Sequence, residues 1–242
     1  MRQILLLLFS FLLINSIIYC QSIGISVGYG FLNLNEVNSD LQDSRDLISS
    51  VGGITSAPEE ITGKLFIEGN FKIGIRNYNL GITANYSSSS GSFSYSDVSG
   101  SFEENYDVKT IEALALFEFL FPIDNSPVQH FIQLAVGIGM ASADHLGEFI
   151  LFSDPSANFS LENMVDGNYF AGRIKGGFQI ALRNITLEMA AGYRIANAGQ
   201  LTGNHTVNGV TIENMPLRDI SGNPIEFDYS GLLLTAGVSI SL

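Results

Sequence analysis

The chain has 242 residues, 46% of them hydrophobic and 14% charged, with 25 glycines, one cysteine and a formal net charge of −13. That length suits one domain rather than two, and the charged share is about half of what soluble domains carry. Net acidity excludes nucleic acid and other polyanions as partners, and a single cysteine excludes an internal disulfide.

From the amino terminus, Arg2 precedes an apolar run from Ile4 to Cys20 that gives way to small and polar residues. This is the pattern of a secretory signal peptide, so residues 1–20 are expected to be cleaved, leaving Gln21 first in a barrel domain over 21–242. The alternative, a lipoprotein that keeps and acylates Cys20, calls for a small residue where Tyr19 stands. Without Cys20 the mature chain has no cysteine, which removes thiolate chemistry and cysteine-based metal sites. No later run is apolar for long enough to cross a membrane as a helix.

Eight stretches then alternate with a period of two, the signature of strands with unlike faces. Ile23, Ile25, Val27, Tyr29 and Phe31 alternate with Gly24, Ser26, Gly28 and Gly30. Leu65, Ile67, Phe71, Ile73 and Ile75 oppose Phe66, Glu68, Asn70 and Lys72, and Leu80, Ile82, Ala84 and Tyr86 oppose Gly81, Thr83 and Asn85. The fourth sets Ile111, Ala113, Ala115, Phe117 and Phe119 against Glu112 and Glu118, with Leu114, Leu116 and Leu120 blurring the contrast. In the fifth, Ile132 to Met140 alternate with Gln133, Ala135, Gly137 and Gly139; in the sixth, Phe170, Ile174, Phe178 and Ile180 oppose Arg173, Lys175, Gly177 and Gln179. Ile185 to Ile195 alternate with Thr186, Glu188, Ala190, Gly192 and Arg194, and the last, Leu232 to Leu242, alternates with Leu233, Thr235, Gly237, Ser239 and Ser241. No second domain is expected after it.

Bulky residues gather on the uncharged face and small or charged ones on the other. An eight-stranded bore is only just wide enough to be filled by side chains, so the small face belongs inside and the bulky face in lipid. A soluble barrel would have the opposite arrangement. The expected fold is all-β: an eight-stranded antiparallel up-and-down transmembrane β-barrel with short periplasmic turns and long extracellular loops. Its interior charges are Glu68, Lys72, Glu112, Glu118, Arg173, Lys175, Glu188 and Arg194, four acids and four bases. Buried charges persist when paired, so these eight read as an ion-pair network plugging the lumen, with a gated polar path as the alternative. Asp107 and Lys109 share the outward parity but fall at the rim, and aromatics such as Tyr29, Tyr86, Phe119 and Tyr193 suit interfacial girdles.

The short connections are Arg76 to Asn79, Phe121 to Val128 and Arg183 to Asn184; the long ones are Asn33 to Gly63, Ser87 to Asn105, Ala143 to Asn168 and Asn197 to Phe227. The long ones hold seventeen acids and two bases, Arg45 and Arg218, so the net negative charge is displayed outside the cell. Asp40, Asp43, Asp46, Glu59 and Glu60, or Asp144, Glu148 and Asp154, could gather divalent cations, though no EF-hand spacing is present and a solvated surface is the plainer reading.

The leader, the eight strands, the alternating short and long connections and the apolar last strand resemble the OmpA/OmpX-type small outer-membrane β-barrels. The resemblance implies residence in the bacterial outer membrane, contact with its lipid, and assembly by the barrel-assembly machinery through Leu232 to Leu242. The chain is expected to lack the peptidoglycan-binding domain that some members carry, and its last residue is Leu242 where such proteins often end in Phe.

Some small barrels modify lipid A, a chemistry that needs a nucleophile, a base and an orienting acid within reach of one another. His130, His145 and His205 are not followed by serine, and HExxH, Walker and GxSxG motifs are absent. His145 with Ser142 and Asp144 is the one cluster worth substituting. The expectations are a barrel without enzymatic activity, cofactor or metal, serving envelope structure, adhesion or contact with a surface ligand through its acidic loops. The alternative is a narrow pore for ions or small solutes.

Overall fold

The computed structural model describes residues 21–50 and 56–242; the signal peptide expected over 1–20 lies outside them. In chain order the elements are β1 (Gln21–Phe31), helix α1 (Asn35–Ser50), β2 (Gly63–Ile75), β3 (Tyr78–Ser96), β4 (Gly100–Pro122), β5 (Val128–Leu151) and β6 (Phe159–Leu182). There follow β7 (Ile185–Ile195), β8 (Asn197–Gln200), β9 (Thr202–Val207), β10 (Val210–Pro216), β11 (Glu226–Asp228) and β12 (Gly231–Ser241). Strands β1 to β7 pair antiparallel in sequence order, and β12 pairs with both β7 and β1, closing a ring of eight.

The register puts like faces side by side. Val27 lies opposite Ile67, Ile67 opposite Tyr86, Tyr86 opposite Ile111 and Ile111 opposite Met140, one apolar row across five strands, every member exposed. Next to these positions Ser26, Glu68, Asn85 and Glu112 are buried, as is Gln133 further along the inner face of β5. The inversion, apolar out and polar in, is what a wall facing lipid requires. Leu114 and Leu116, which blurred the fourth strand, point inward beside Phe66, Phe131 and Leu233 as apolar filler of the lumen. Two interior glycines make room for rings. A Cβ on Gly28 would stand 2.3 Å from Cζ of Phe66, and one on Gly139 would stand 2.3 Å from Cζ of Tyr169.

Strands β4, β5 and β6 have 23, 24 and 24 residues, where about 9–11 suffice to cross a bilayer. Their outer ends extend the barrel wall beyond the membrane, and there the faces exchange character. On β4 the outward residues change from Ile111, Ala113 and Phe119 to Lys109, Asp107 and Glu103, while the inward ones change from Glu118 and Glu112 to Val108 and Tyr106. On β5 the outward series ends at Met140 and continues as Ser142, Asp144 and Glu148, with Ala141 and Ala143 inside. Much of the second and third extracellular connections is thus paired strand, joined by turns at 97–99 and 152–158.

This outer half has a conventional apolar core. Helix α1 buries Val37, Leu41 and Ile48, a stripe at helical spacing, against Ile61, Phe93, Tyr106 and Val108. The fourth connection supplies Leu201, Leu217, Ile225 and Phe227 to the same cluster, and Tyr229, just ahead of β12, joins them. It also adds the β9–β10 hairpin, which takes over from β7 as the neighbour of β6 along Leu161 to Asp166. The hairpin turns at Asn208 and Gly209, both with positive φ (48° and 80°), the arrangement that a two-residue loop between twisted strands favours. At the opposite end, Arg76 and Arg183 hold positive φ in the two-residue periplasmic turns.

Candidate functional site

Inside the membrane-spanning half, the eight charges meet in three groups of direct contacts. Nearest the periplasmic end, Lys72 Nζ stands 2.7 Å from Glu118 and 3.1 Å from Glu188. Glu118, fully buried, also accepts hydrogen bonds from Asn79 (2.6 Å) and Gln133 (3.1 Å). In the second group Glu68 faces two cations, Arg173 Nη1 at 2.6 Å and Lys175 Nζ at 3.1 Å. In the third, Arg194 Nη2 lies 2.7 Å from Glu112, and the Tyr169 hydroxyl donates to Glu112 at 3.0 Å. The β-pleat brings the charges together: all eight lie on inward positions of β2, β4, β6 and β7, and the closed ring turns those faces onto one axis.

Lys64 belongs with them, although its place at the start of β2 left it outside the sequence-based set. It is buried, donates to Thr110 Oγ1 at 2.9 Å and sits 4.8 Å from the Tyr229 ring centroid. The parity of Lys64 with Phe66 and Glu68 is the signal that marks it as inward. Below the Lys72 group a cavity of about 590 Å³ opens at the periplasmic end, lined among others by Asn79, Gln129 and Gln179.

At the extracellular end a second polar cluster is embedded in the apolar core. Glu104 on β4 and His145 on β5 meet at 2.9 Å (Oε1 to Nε2), and Asn163 Nδ2 contacts His145 Nδ1 at 3.1 Å. The Tyr106 ring stacks on the imidazole with centroids 4.0 Å apart and planes 4° apart. The Tyr106 hydroxyl donates to Asp40 of helix α1, whose other oxygen accepts from the Ile220 amide at 2.8 Å. Asp40, Glu104 and His145 each offer one donor atom, all within 4.8 Å of one another. Burial, and after it the charge of Glu104, raises the Asp40 pKa above the ordinary carboxylate value; burial raises that of Tyr106 as well.

This arrangement revises the cluster read from the sequence. His145 points inward, whereas Ser142 and Asp144 lie at outward positions of the same strand, and Asp144 pairs with Lys109 at 3.1 Å. Residues one and three positions apart on a strand occupy opposite faces, so adjacency in sequence separated them. The acids suggested as cation ligands also disperse: Asp46 pairs with Arg45, Glu60 accepts from Gln42, and Asp154 caps the turn at Pro155–Ala157. Asp40 alone among them enters a three-donor cluster of the described residues.

No protein-family model matches the chain, and no curated protein matches it. Solved structures do. Neisserial surface protein A shares 11% identity over 92% of this chain and 97% of its own, with a TM-score of 0.38. The outer membrane protease OmpT from Escherichia coli shares 10% over 93% and 97%, with 0.45. Ail, the attachment invasion locus protein of Yersinia pestis, shares 10% over 93% and 99%, with 0.36. These likenesses concern the fold. One of them corrects an expectation: barrels of this general architecture include a protease, so the reading of this chain as a non-enzyme does not stand.

Proposed function

We propose that the chain is exported by the leader over 1–20 and inserts residues 21–242 into the bacterial outer membrane as a small barrel of the OmpA/OmpX type. Its lumen is filled, and it works through its extracellular half as a contact surface for a partner at the cell boundary. The observation that carries this reading is the projecting wall of β4, β5 and β6, whose outward face is acidic above the apolar band. Glu103 lies directly opposite Glu148 there, with Glu162 one strand further on. Directly opposed like charges destabilise a sheet, so their presence on an exposed wall favours a positively charged or hydrogen-bond-donating partner. The apolar core and the Glu104–His145 contact lie behind the wall and support it, and a pre-organised surface lowers the cost of binding.

The test is binding of the barrel in lipid nanodiscs to a polylysine-coated surface, the cationic probe. Binding is expected to weaken with salt and to be lost when Glu103, Glu148 and Glu162 become glutamine. Unchanged binding by a folded triple variant would count against the reading. The second reading, a narrow pore, draws on the periplasmic cavity and on the buried Arg173 guanidinium nitrogens that lack an aligned acceptor. Conductance in a planar bilayer separates the two.

A further inference from the structure

We propose that Asp40, Glu104 and His145 form a binding site for one divalent transition-metal ion of the zinc class, which clamps helix α1 to the inner wall of the extracellular half. The three donors come from α1, β4 and β5, and all three side chains are buried. Two carboxylates and a neutral imidazole balance a doubly charged ion. Without it, two acids share a desolvated site, compensated by hydrogen bonds and by the His145 ring against Glu104.

Two further observations point to a ligand. Glu104 is 5% exposed, and Oε2 of the carboxylate that contacts His145 is buried without a hydrogen-bond partner. Asn163, also buried, approaches His145 Nδ1 through its amide nitrogen, while its Oδ1 has no partner. A half-turn of that amide lets Oδ1 accept from Nδ1–H. The ring proton then resides on Nδ1, and the Nε2 lone pair faces Glu104. A metal-bound histidine takes this tautomer, with its second nitrogen donating to an outer-shell oxygen. The Tyr106 ring, stacked on the imidazole, fixes the plane in which that lone pair lies.

One of the three donors borders a cleft. A cavity of about 230 Å³ between α1 and the segment ahead of β11 is lined by Glu36, Asp40, Asp43 and Asp219. An acidic cleft of this kind concentrates cations at its mouth, and Asp40 lies on its wall. The imidazole nitrogen and the small number of donors suit a zinc-class ion, whereas calcium takes six to eight oxygens. The site stands independently of the surface-contact function.

The experiment uses the mature barrel refolded in detergent and freed of metal with a chelator, with Co²⁺ as a visible-absorbing probe. The expected result is one equivalent of Co²⁺, displaced by Zn²⁺ and not by Ca²⁺. Binding is lost in E104Q and H145Q, weakened about 10–100-fold in N163A, and unchanged in E148Q on the outer wall. Absence of one-equivalent binding by the wild type overturns the proposal, as does unchanged affinity in folded E104Q or H145Q. Where those wall variants do not fold, D40N on the helix decides: lost binding supports the site, and unchanged affinity overturns it.

Discussion

Replacing Glu68 by glutamine removes the acid from a contact that holds two cations, Arg173 at 2.6 Å and Lys175 at 3.1 Å, with all three side chains 1% exposed. The shape is kept, so the change isolates charge. At an effective dielectric of about 20, each contact represents roughly 5 kcal/mol of gross Coulomb energy, much of it offset by desolvation. Breaking a buried pair while leaving the partner charge in place costs about 3–5 kcal/mol. Glutamine can still accept one hydrogen bond from Lys175, which places the expected loss near the lower end, about 3 kcal/mol. The assay is urea unfolding in lipid vesicles followed by far-ultraviolet circular dichroism, since the chain has no tryptophan. Replacing Glu68, Arg173 and Lys175 together by methionine should recover most of the loss, because no charge is then stranded. A loss below about 1 kcal/mol in E68Q, the value of a solvated surface pair, would refute the reasoning.

Gly139→Ala should cost about 1–3 kcal/mol and displace the Tyr169 ring, whose Cζ would lie 2.3 Å from the new Cβ; loss of the Tyr169 contact to Glu112 is read by tyrosine near-ultraviolet dichroism. Glu148→Thr should stabilise the projecting wall by about 0.2–1 kcal/mol in thermal unfolding at low salt, by removing a like charge opposite Glu103, and the gain should shrink as salt is added. Arg183→Gly should raise stability by up to about 1 kcal/mol in urea unfolding, because the position holds φ of 59° and glycine adopts it without steric cost. Asp97, at the β3–β4 turn, accepts from Tyr95 first and then from the Ser99 and Gly100 amides, which holds its pKa below the ordinary value. A depressed acid stabilises the fold above its unfolded pKa and loses that contribution as pH falls through the folded one, so amide-exchange protection at Ser99 and Gly100 should drop at acid pH. Asp97→Asn should flatten that dependence, and rising protection on acidification would contradict it.

The membrane-spanning half was legible because its alternation is unbroken: Val27, Ile67, Tyr86, Ile111 and Met140 could be assigned outward from parity alone. The outer half was harder to read. At Ile111 and Met140 the outward face changes from apolar to charged without any change in parity, so a search for bulky residues outside stops where the strand continues. The alternation of Tyr106 and Val108 with Asp107 and Lys109 is the signal that carries β4 onward. Asn208-Gly209 likewise marks the β9–β10 hairpin. Helix α1 left its own pattern in Val37, Leu41 and Ile48, visible once a helical period is tried on a segment bounded by strands. The inward placement of the luminal charges follows from parity within single strands, and the closed ring then pairs acids with bases across the bore. The Asp40, Glu104 and His145 cluster does not, because it joins a helix to two strands whose register only the closed barrel sets.

The filled lumen is the claim on which the extracellular reading depends, and single-channel conductance of the refolded barrel in a planar bilayer tests it most directly. Protein whose gel mobility shifts on boiling, and which is therefore folded, should produce no conductance steps. Steps that change in size when Glu118 or Arg194 is neutralised would contradict the account and place the function in the lumen.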